Sequence, residues 1–150
     1  MEKFNSMDEI LDFAIERETD ANRFYLDLAS RVEMPAMEKV FEDFAKEELE
    51  HKAKLQTMKE SKAISAEPSE LELKIADYIV GIQPSPNMNY VDALRLAMQR
   101  EKASFRLYTD LAAKMKNQQH KMVFLTLARQ EAGHKLRFEI EYDDAVLKEI

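Results

Sequence analysis

The stretch Glu48-Leu49-Glu50-His51 returns 83 residues later as Glu131-Ala132-Gly133-His134. It belongs to a longer internal repeat, because residues 13–58 and 96–141 align without a gap and are identical at 14 of 46 positions. Among the identical pairs are Glu18 with Glu101, Tyr25 with Tyr108, Glu48 with Glu131, and His51 with His134. The second half of the chain is therefore similar to the first, which predicts an approximate two-fold axis between the halves.

The composition favours long helices around a single core. The chain has 150 residues, of which 45% are hydrophobic and 34% charged, with only two Gly and four Pro. A chain of this length typically forms one domain, so we expect residues 1–150 to be a single domain. Cysteine is absent, which excludes disulfides, thiolate nucleophiles, zinc fingers and iron–sulfur or rubredoxin-type sites.

The charge and the N-terminal sequence bear on partners and location. The net charge of −7 disfavours nucleic acid and anionic membrane surfaces as partners. No apolar run approaches the roughly 20 residues that span a bilayer, and the first residues lack the features of a signal peptide. We therefore expect a soluble cytoplasmic protein.

The helix-breaking residues divide the chain into four long intervals and one long connection. Prolines and glycine stand at Pro35, Pro68, Gly81, Pro84 and Pro86. Four helices are predicted. The first runs from about Ser6 to Glu33 and is capped by Ser6 and Glu9, and the second runs from Pro35 to Ser61. The third runs from Asn89 to Lys116, and the fourth runs from a turn at Asn117-Gln118-Gln119 almost to the C-terminus. Within the connection, a short helix capped by Ser69 is predicted to cross the bundle with Leu71, Ile75, Tyr78 and Ile79. The pattern predicts an all-α four-helix bundle of two antiparallel hairpins joined by a long crossover.

Each predicted helix has an apolar inward face that is interrupted by polar residues near its middle. Because mid-helix positions of an antiparallel bundle lie at one level, these polar residues should converge. They are Glu18, Glu48, His51, Glu101, Glu131 and His134. An ionised group buried without a partner costs several kcal/mol, and two divalent cations would balance four carboxylates and two neutral imidazoles. Oxygen ligands with one imidazole per ion favour iron or manganese. Without metal, burial and mutual repulsion should raise the pKa values of all four carboxyl groups.

One Glu from each of two helices plus Glu-x-x-His from each of the other two is the pattern of ferritin-like di-iron carboxylate proteins. The chain resembles the rubrerythrin branch of that superfamily over nearly its whole length. The resemblance implies that Glu18 and Glu101 are terminal ligands, that Glu48 and Glu131 bridge two iron ions, and that His51 and His134 each bind one. It also implies that Tyr25 and Tyr108 hydrogen-bond the bridging carboxylates, although a purely structural role as core aromatics has equal weight.

Two departures from the family bear on activity. Rubrerythrins usually carry a rubredoxin domain with four cysteines, so here electrons would have to come from a separate donor protein. They also carry an extra carboxylate one turn from the third-helix ligand, where this chain has Ser104 after Glu101 and Met98 before it. The assignment of peroxide reduction is therefore weaker than the assignment of a di-metal site.

Three functions remain open at this point. The first is a di-iron oxidoreductase that reduces peroxide or dioxygen, the second is an iron-handling ferroxidase or storage protein, and the third is a structural bundle that holds a redox-inert metal such as zinc. A homodimer is considered, but the sequence does not determine the oligomeric state. Glu47 and Glu50 fall on other helix faces and are predicted to be solvated, and His120 is predicted to be structural.

Overall fold

Four long helices account for most of the chain. The computed structural model describes residues 2–61, 67, 71–85 and 87–149. The helices are α1 (Met7–Arg31), α2 (Pro35–Glu60), α3 (Tyr90–Lys114) and α4 (Gln118–Glu149). The predicted all-α bundle of two hairpins and a crossover is confirmed, and the predicted ends of α1, α2 and α3 lie within two residues of the observed ones.

Local capping explains where the helices begin. The side chains of Ser6, Asn89 and Asn117 each accept a hydrogen bond from a backbone N–H three residues further on, at 3.1, 2.8 and 3.2 Å. Such bonds satisfy N–H groups that the first turn leaves without a helical partner. α2 begins with Pro35, whose missing N–H and restricted φ suit the first helical position.

The helices pack as two hairpins, α1 with α2 and α3 with α4. Their buried apolar side chains form two separate clusters, one toward each end of the bundle. The first contains Met7, Leu11, Leu55, Leu111 and Phe124, and the second contains Leu28, Phe41, Leu94 and Phe138, each with further neighbours. The middle level of the bundle lies between these clusters, and it carries the polar side chains of the repeat.

The crossover differs from the prediction. Leu71–Leu73 forms a strand, β2, that pairs antiparallel with an N-terminal strand, β1 (Glu2–Phe4), and a single 3₁₀ turn follows at Ile75–Tyr78. The predicted helix was wrong because Leu71 and Leu73 are buried on either side of exposed Glu72, which is the two-residue period of a strand. Ser69, its predicted cap, lies outside the described residues.

Polar contacts of Tyr78 and Glu67 attach the crossover to the second hairpin. The Tyr78 hydroxyl donates to Asp110 Oδ2 at 2.6 Å. The Glu67 carboxylate accepts from the backbone N–H of Asn117 at 2.8 Å and contacts the ring of buried His120. None of the helices among the described residues has the length and apolar character that a membrane span requires.

Candidate metal centre

The middle level of the bundle gathers all six residues that the repeat singled out. α1 contributes Glu18, α2 contributes Glu48 and His51, α3 contributes Glu101, and α4 contributes Glu131 and His134. None of the six is more than 4% exposed, and Glu48 and Glu131 are fully buried. On α2 and on α4 the glutamate and the histidine are three residues apart, so the two side chains share a helix face.

The six side chains form two overlapping groups of four. One comprises Glu18, Glu48, His51 and Glu131, and the other comprises Glu48, Glu101, Glu131 and His134. Within each group, one nitrogen or oxygen atom of every residue lies within 4.8 Å of those of the others. Glu48 and Glu131 belong to both groups, which is the arrangement that two carboxylates need if they are to contact two neighbouring ions.

The imidazoles face carboxylates of the opposite hairpin. His51 Nδ1 lies 2.8 Å from Glu131 Oε1, and His134 Nδ1 lies 3.3 Å from Glu48 Oε1, but neither pair is aligned for a hydrogen bond. The two rings are nearly parallel, with centroids 6.3 Å apart. The approximate two-fold relation expected from the repeat is therefore visible in the geometry of the centre.

Most of the polar atoms of this cluster have no hydrogen-bond partner in the protein. Among the described residues, eight buried atoms of the six side chains have no hydrogen-bond partner: Glu18 Oε2, both oxygens of Glu48, His51 Nδ1, Glu101 Oε2, both oxygens of Glu131, and His134 Nδ1. Buried polar atoms normally have partners, and a set of them without partners requires an explanation. Six oxygens and two imidazole nitrogens fit a pair of divalent cations.

Two buried tyrosines donate hydrogen bonds into the cluster. The Tyr25 hydroxyl donates to Glu101 Oε1, and the Tyr108 hydroxyl donates to Glu18 Oε1. The tyrosines therefore contact Glu101 and Glu18, which the resemblance implies to be the terminal ligands. The expectation that they hydrogen-bond the bridging carboxylates, Glu48 and Glu131, was wrong. Burial and the neighbouring carboxylates raise the pKa of both tyrosines, so the hydroxyls keep their protons and act as donors.

Burial and crowding perturb the ionisation of the centre without metal. Desolvation, followed by repulsion from Glu18 and Glu101, raises the pKa of Glu48 well above its ordinary value. Desolvation, followed by repulsion from Glu101 and Glu48, does the same to the pKa of Glu131. The predicted rise is therefore found for the two carboxyl groups that both ligand groups share.

Glu101 and His134 behave differently. Burial alone would raise the pKa of Glu101, but its interactions with Glu131, His134 and Tyr25 outweigh burial and lower that pKa. The expectation of a raised value was wrong here because it left out the neighbouring donors. Burial alone would lower the pKa of His134, but the nearby carboxylates of Glu101 and Glu48 raise it to about 11.

One residue beside the cluster was misjudged from the sequence. Glu47 was predicted to be solvated, yet its Oε2 contacts His134 Nε2 while half of the side chain stays exposed. No sequence signal indicated this contact, because it joins residues of different hairpins. Glu50 is exposed, as predicted. His120 belongs to no candidate ligand group among the described residues.

An opening leads from the surface to both imidazoles. It is a cavity of about 340 Å³ between α2 and α4, and its lining includes Glu47, Glu50 and His51 from α2 and Gln130 and His134 from α4. The two imidazoles are therefore the ligand candidates nearest to the solvent side of the centre.

The chain is similar to known proteins both in sequence and in structure. The family model described as Rubrerythrin matches residues 9–142. No curated protein matches the chain. A hypothetical protein from Pyrococcus furiosus has a similar solved structure, with a TM-score of 0.72 and 25% identity over 93% of this chain and 89% of that one. An uncharacterised conserved protein from Magnetospirillum magnetotacticum shares the fold, with a TM-score of 0.70 and 23% identity over 92% and 94% of the two chains.

Proposed function

The chain belongs to the rubrerythrin family, and we propose that it is a di-iron oxidoreductase that reduces peroxide or dioxygen. The observation that carries the proposal is the set of eight unpartnered nitrogen and oxygen atoms, six of them carboxylate oxygens, buried at the middle of the bundle. Family membership indicates iron as the usual metal. The donor set, which lacks sulfur, agrees with that indication.

The ligand roles follow from the two overlapping groups. Glu18 and His51 would hold one ion, Glu101 and His134 would hold the other, and Glu48 and Glu131 would contact both. When bound, two ferrous ions supply two electrons, which with two protons reduce one hydrogen peroxide molecule to two water molecules. The protein contributes the position of the ligands and the exclusion of bulk water from them.

The tyrosines orient the two carboxylates that each belong to a single group. Because each hydroxyl donates to one oxygen of Glu101 or Glu18, the second oxygen of that carboxylate remains for metal. Hydrogen bonds of this kind around ligands hold them in place and tune the metal. The bonds also join helices of different hairpins, so they hold the two halves of the centre together.

The opening beside the two imidazoles gives a small oxidant a route to the centre. It has a volume of about 340 Å³, and its lining includes both imidazoles. Peroxide and dioxygen need little space.

The chain contains no cysteine that could hold an electron-transfer cluster. We therefore propose that a separate protein supplies the electrons for repeated turnover.

Rapid mixing of ferrous-loaded protein with an oxidant tests the proposed activity. Protein loaded anaerobically with two ferrous ions per chain is mixed with peroxide or with dioxygen, and the rate and stoichiometry of iron oxidation are followed by absorption. We expect one peroxide to oxidise both ions, with further turnover only after a reductant is added. Failure of either oxidant to oxidise the bound iron would contradict the proposal, whereas uptake of many ions per chain would support iron storage instead.

A further inference from the structure

Glu47 makes an asymmetric contact in a centre that is otherwise built from a repeat. Its Oε2 contacts His134 Nε2, the ring nitrogen that faces away from the carboxylate cluster. His134 Nδ1 faces inward, 3.3 Å from Glu48 Oε1 and 3.4 Å from Glu101 Oε1. If Nδ1 supplies its lone pair to a metal, Nε2 carries the hydrogen and donates it to the Glu47 carboxylate.

The other half of the centre has no equivalent carboxylate. The repeat offset of 83 residues places Gln130 where Glu47 stands in the first half. Gln130 lines the same opening beside His51, and in the described part of the chain no side chain hydrogen-bonds His51 Nε2. One imidazole is therefore backed by a charged acceptor, and the corresponding position at the other imidazole carries a neutral amide.

An aromatic contact adds to the difference. Phe44 stacks on the His134 ring, with centroids 3.9 Å apart and an interplanar angle of 14°. The corresponding residue in the second half is Leu127, which cannot stack in this way. The orientation of His134 is therefore fixed by Phe44 on its face and by Glu47 at its outer nitrogen.

We propose that Glu47 makes the two metal positions unequal, so that the half containing His134 binds its divalent ion more tightly than the half containing His51. A carboxylate that accepts the outer N–H of a ligating imidazole fixes the ring and increases the basicity of the inner nitrogen, and removal of such a partner typically lowers metal affinity 10- to 100-fold. Glu47 is a positioning residue in this role. The inference rests on the di-metal part of the proposed function and is independent of peroxide reduction.

Titration of metal-free protein with Co²⁺ tests the proposal. Calorimetry measures the affinities of the two steps, and the visible absorption of Co²⁺ reports the surroundings of each ion. We expect two unequal steps in the unmodified protein. Glu47→Gln should lower the affinity of the tighter step by about 10- to 100-fold and alter the absorption of the first ion, while the weaker step stays within about threefold.

A matched control separates the carboxylate that contacts His134 from the loss of a negative charge elsewhere in the opening. Glu50→Gln removes the same charge from the same opening. Glu50 is exposed and, among the described residues, makes no hydrogen bond or ion pair with either imidazole, so both binding steps of this variant should stay within about threefold of those of the unmodified protein. Gln130→Glu places a carboxylate beside His51 and should strengthen the weaker step. This variant also tests the proposal if Glu47→Gln fails to fold.

The outcomes distinguish this inference from the proposed function. Two ions bound with equal affinity by the unmodified protein would overturn the inference alone, as would equal effects of Glu47→Gln and Glu50→Gln. A weaker step left unchanged by Gln130→Glu would overturn it in the same way. Binding of fewer than two ions by the unmodified protein would contradict the di-metal site itself, and the inference would be lost with it.

Discussion

Glu48 and Glu131 occupy fully buried positions, where a charged carboxylate is unfavourable unless a counter-charge compensates it. Both residues belong to both candidate ligand groups, whereas each histidine belongs to one. Loss of a shared residue should therefore affect both ions, and loss of a histidine should affect mainly one. This difference makes the six residues separable by substitution.

Replacement of Glu48 or His51 by Ala should lower metal occupancy. We expect the unmodified protein to hold two ferrous or manganese ions per chain after reconstitution and dialysis, His51→Ala to hold about one, and Glu48→Ala to hold fewer than one. Elemental analysis measures the occupancy. Glu50→Ala, which changes an exposed residue of the same helix, should still hold two. Full occupancy in both ligand variants would place the metal elsewhere.

Tyr25→Phe should destabilise the metal-free protein by about 1 to 3 kcal/mol, because Glu101 Oε1 loses its buried donor. The ring and its packing against Phe138, at 5.8 Å between centroids, would be kept. Urea unfolding measures the change. The control is Tyr142→Phe, since the hydroxyl of Tyr142 accepts an exposed hydrogen bond from Arg95, and its effect should stay within about 0.5 kcal/mol. Equal effects of the two substitutions would show that the buried hydrogen bond of Tyr25 stabilises the protein no more than the exposed one of Tyr142 does.

At the scale of elements, the crossover does more than connect the hairpins. Its strand β2 pairs with β1 at the N-terminus, and this ribbon places Phe4 and Leu71 in the apolar cluster at one end of the bundle. A two-stranded ribbon is only marginally stable by itself. Its persistence here follows from the apolar side chains that it buries against the helices.

Phe4→Ala should therefore destabilise the whole bundle. Phe4 is 6% exposed and its ring lies 5.9 Å from that of Phe13, and truncation of a buried Phe typically costs about 3 to 5 kcal/mol. Because the site is at the end of the core, we expect about 3 kcal/mol in urea unfolding. Lys3→Ala changes the exposed neighbour in the same strand and should have little effect. A small effect of Phe4→Ala would mean that the ribbon detaches without loss to the core.

At the scale of the whole molecule, the buried centre makes stability depend on pH. The raised pKa values of Glu48 and Glu131 mean that their folded forms hold protons which the unfolded chain releases above about pH 4.5. His134 acts in the same direction, because its pKa rises from 6.5 to about 11. The stability from these groups is present at low pH and is lost as the pH rises. Glu101, with a lowered pKa, acts in the opposite direction and loses its contribution as the pH falls below about 4.5.

We therefore expect the free energy of unfolding of the metal-free protein to decrease between about pH 5 and pH 8. Urea unfolding at pH 5, 6, 7 and 8, in the presence of a chelator, measures this trend. Glu131→Gln, which replaces the carboxyl group by a neutral amide of similar size, should make the trend shallower. A metal-free protein that becomes steadily more stable over this interval would contradict the burial of these carboxyl groups as protonated species.

Metal should reverse the pH trend, because binding requires deprotonated carboxylates and an unprotonated Nδ1 on each imidazole. Ligand at 100 times its dissociation constant adds about 2.7 kcal/mol per site, and a domain of this size gains roughly 2 to 4 °C in melting temperature per kcal/mol. We expect metal to raise the melting temperature by at least about 5 to 10 °C at pH 7 and by less at pH 5. Parallel pH trends with and without metal, and no shift, would show that the six residues do not form a metal site.

The sequence by itself determined the four helices, the two hairpins and the six polar residues at the middle level. These features depend on local rules, because helix breakers set the boundaries and the spacing of residues on a helix sets which of them face inward. The repeat added the relation between the halves, since Glu18 and Glu101 occupy equivalent positions in it. Periodicity carries this information without knowledge of any contact between helices.

The tertiary structure alone decided which side chains meet across the hairpins and how the N-terminal strand pairs with the crossover. Tyr25 meets Glu101 and Glu47 meets His134, although 76 and 87 residues separate them in the chain. The ribbon of β1 with β2 likewise joins the N-terminus to the crossover. No periodic pattern predicts such contacts, because they depend on the relative rotation and height of packed helices. For the same reason, the sequence did not predict that the neighbours of Glu101 lower its pKa, although burial alone would raise it.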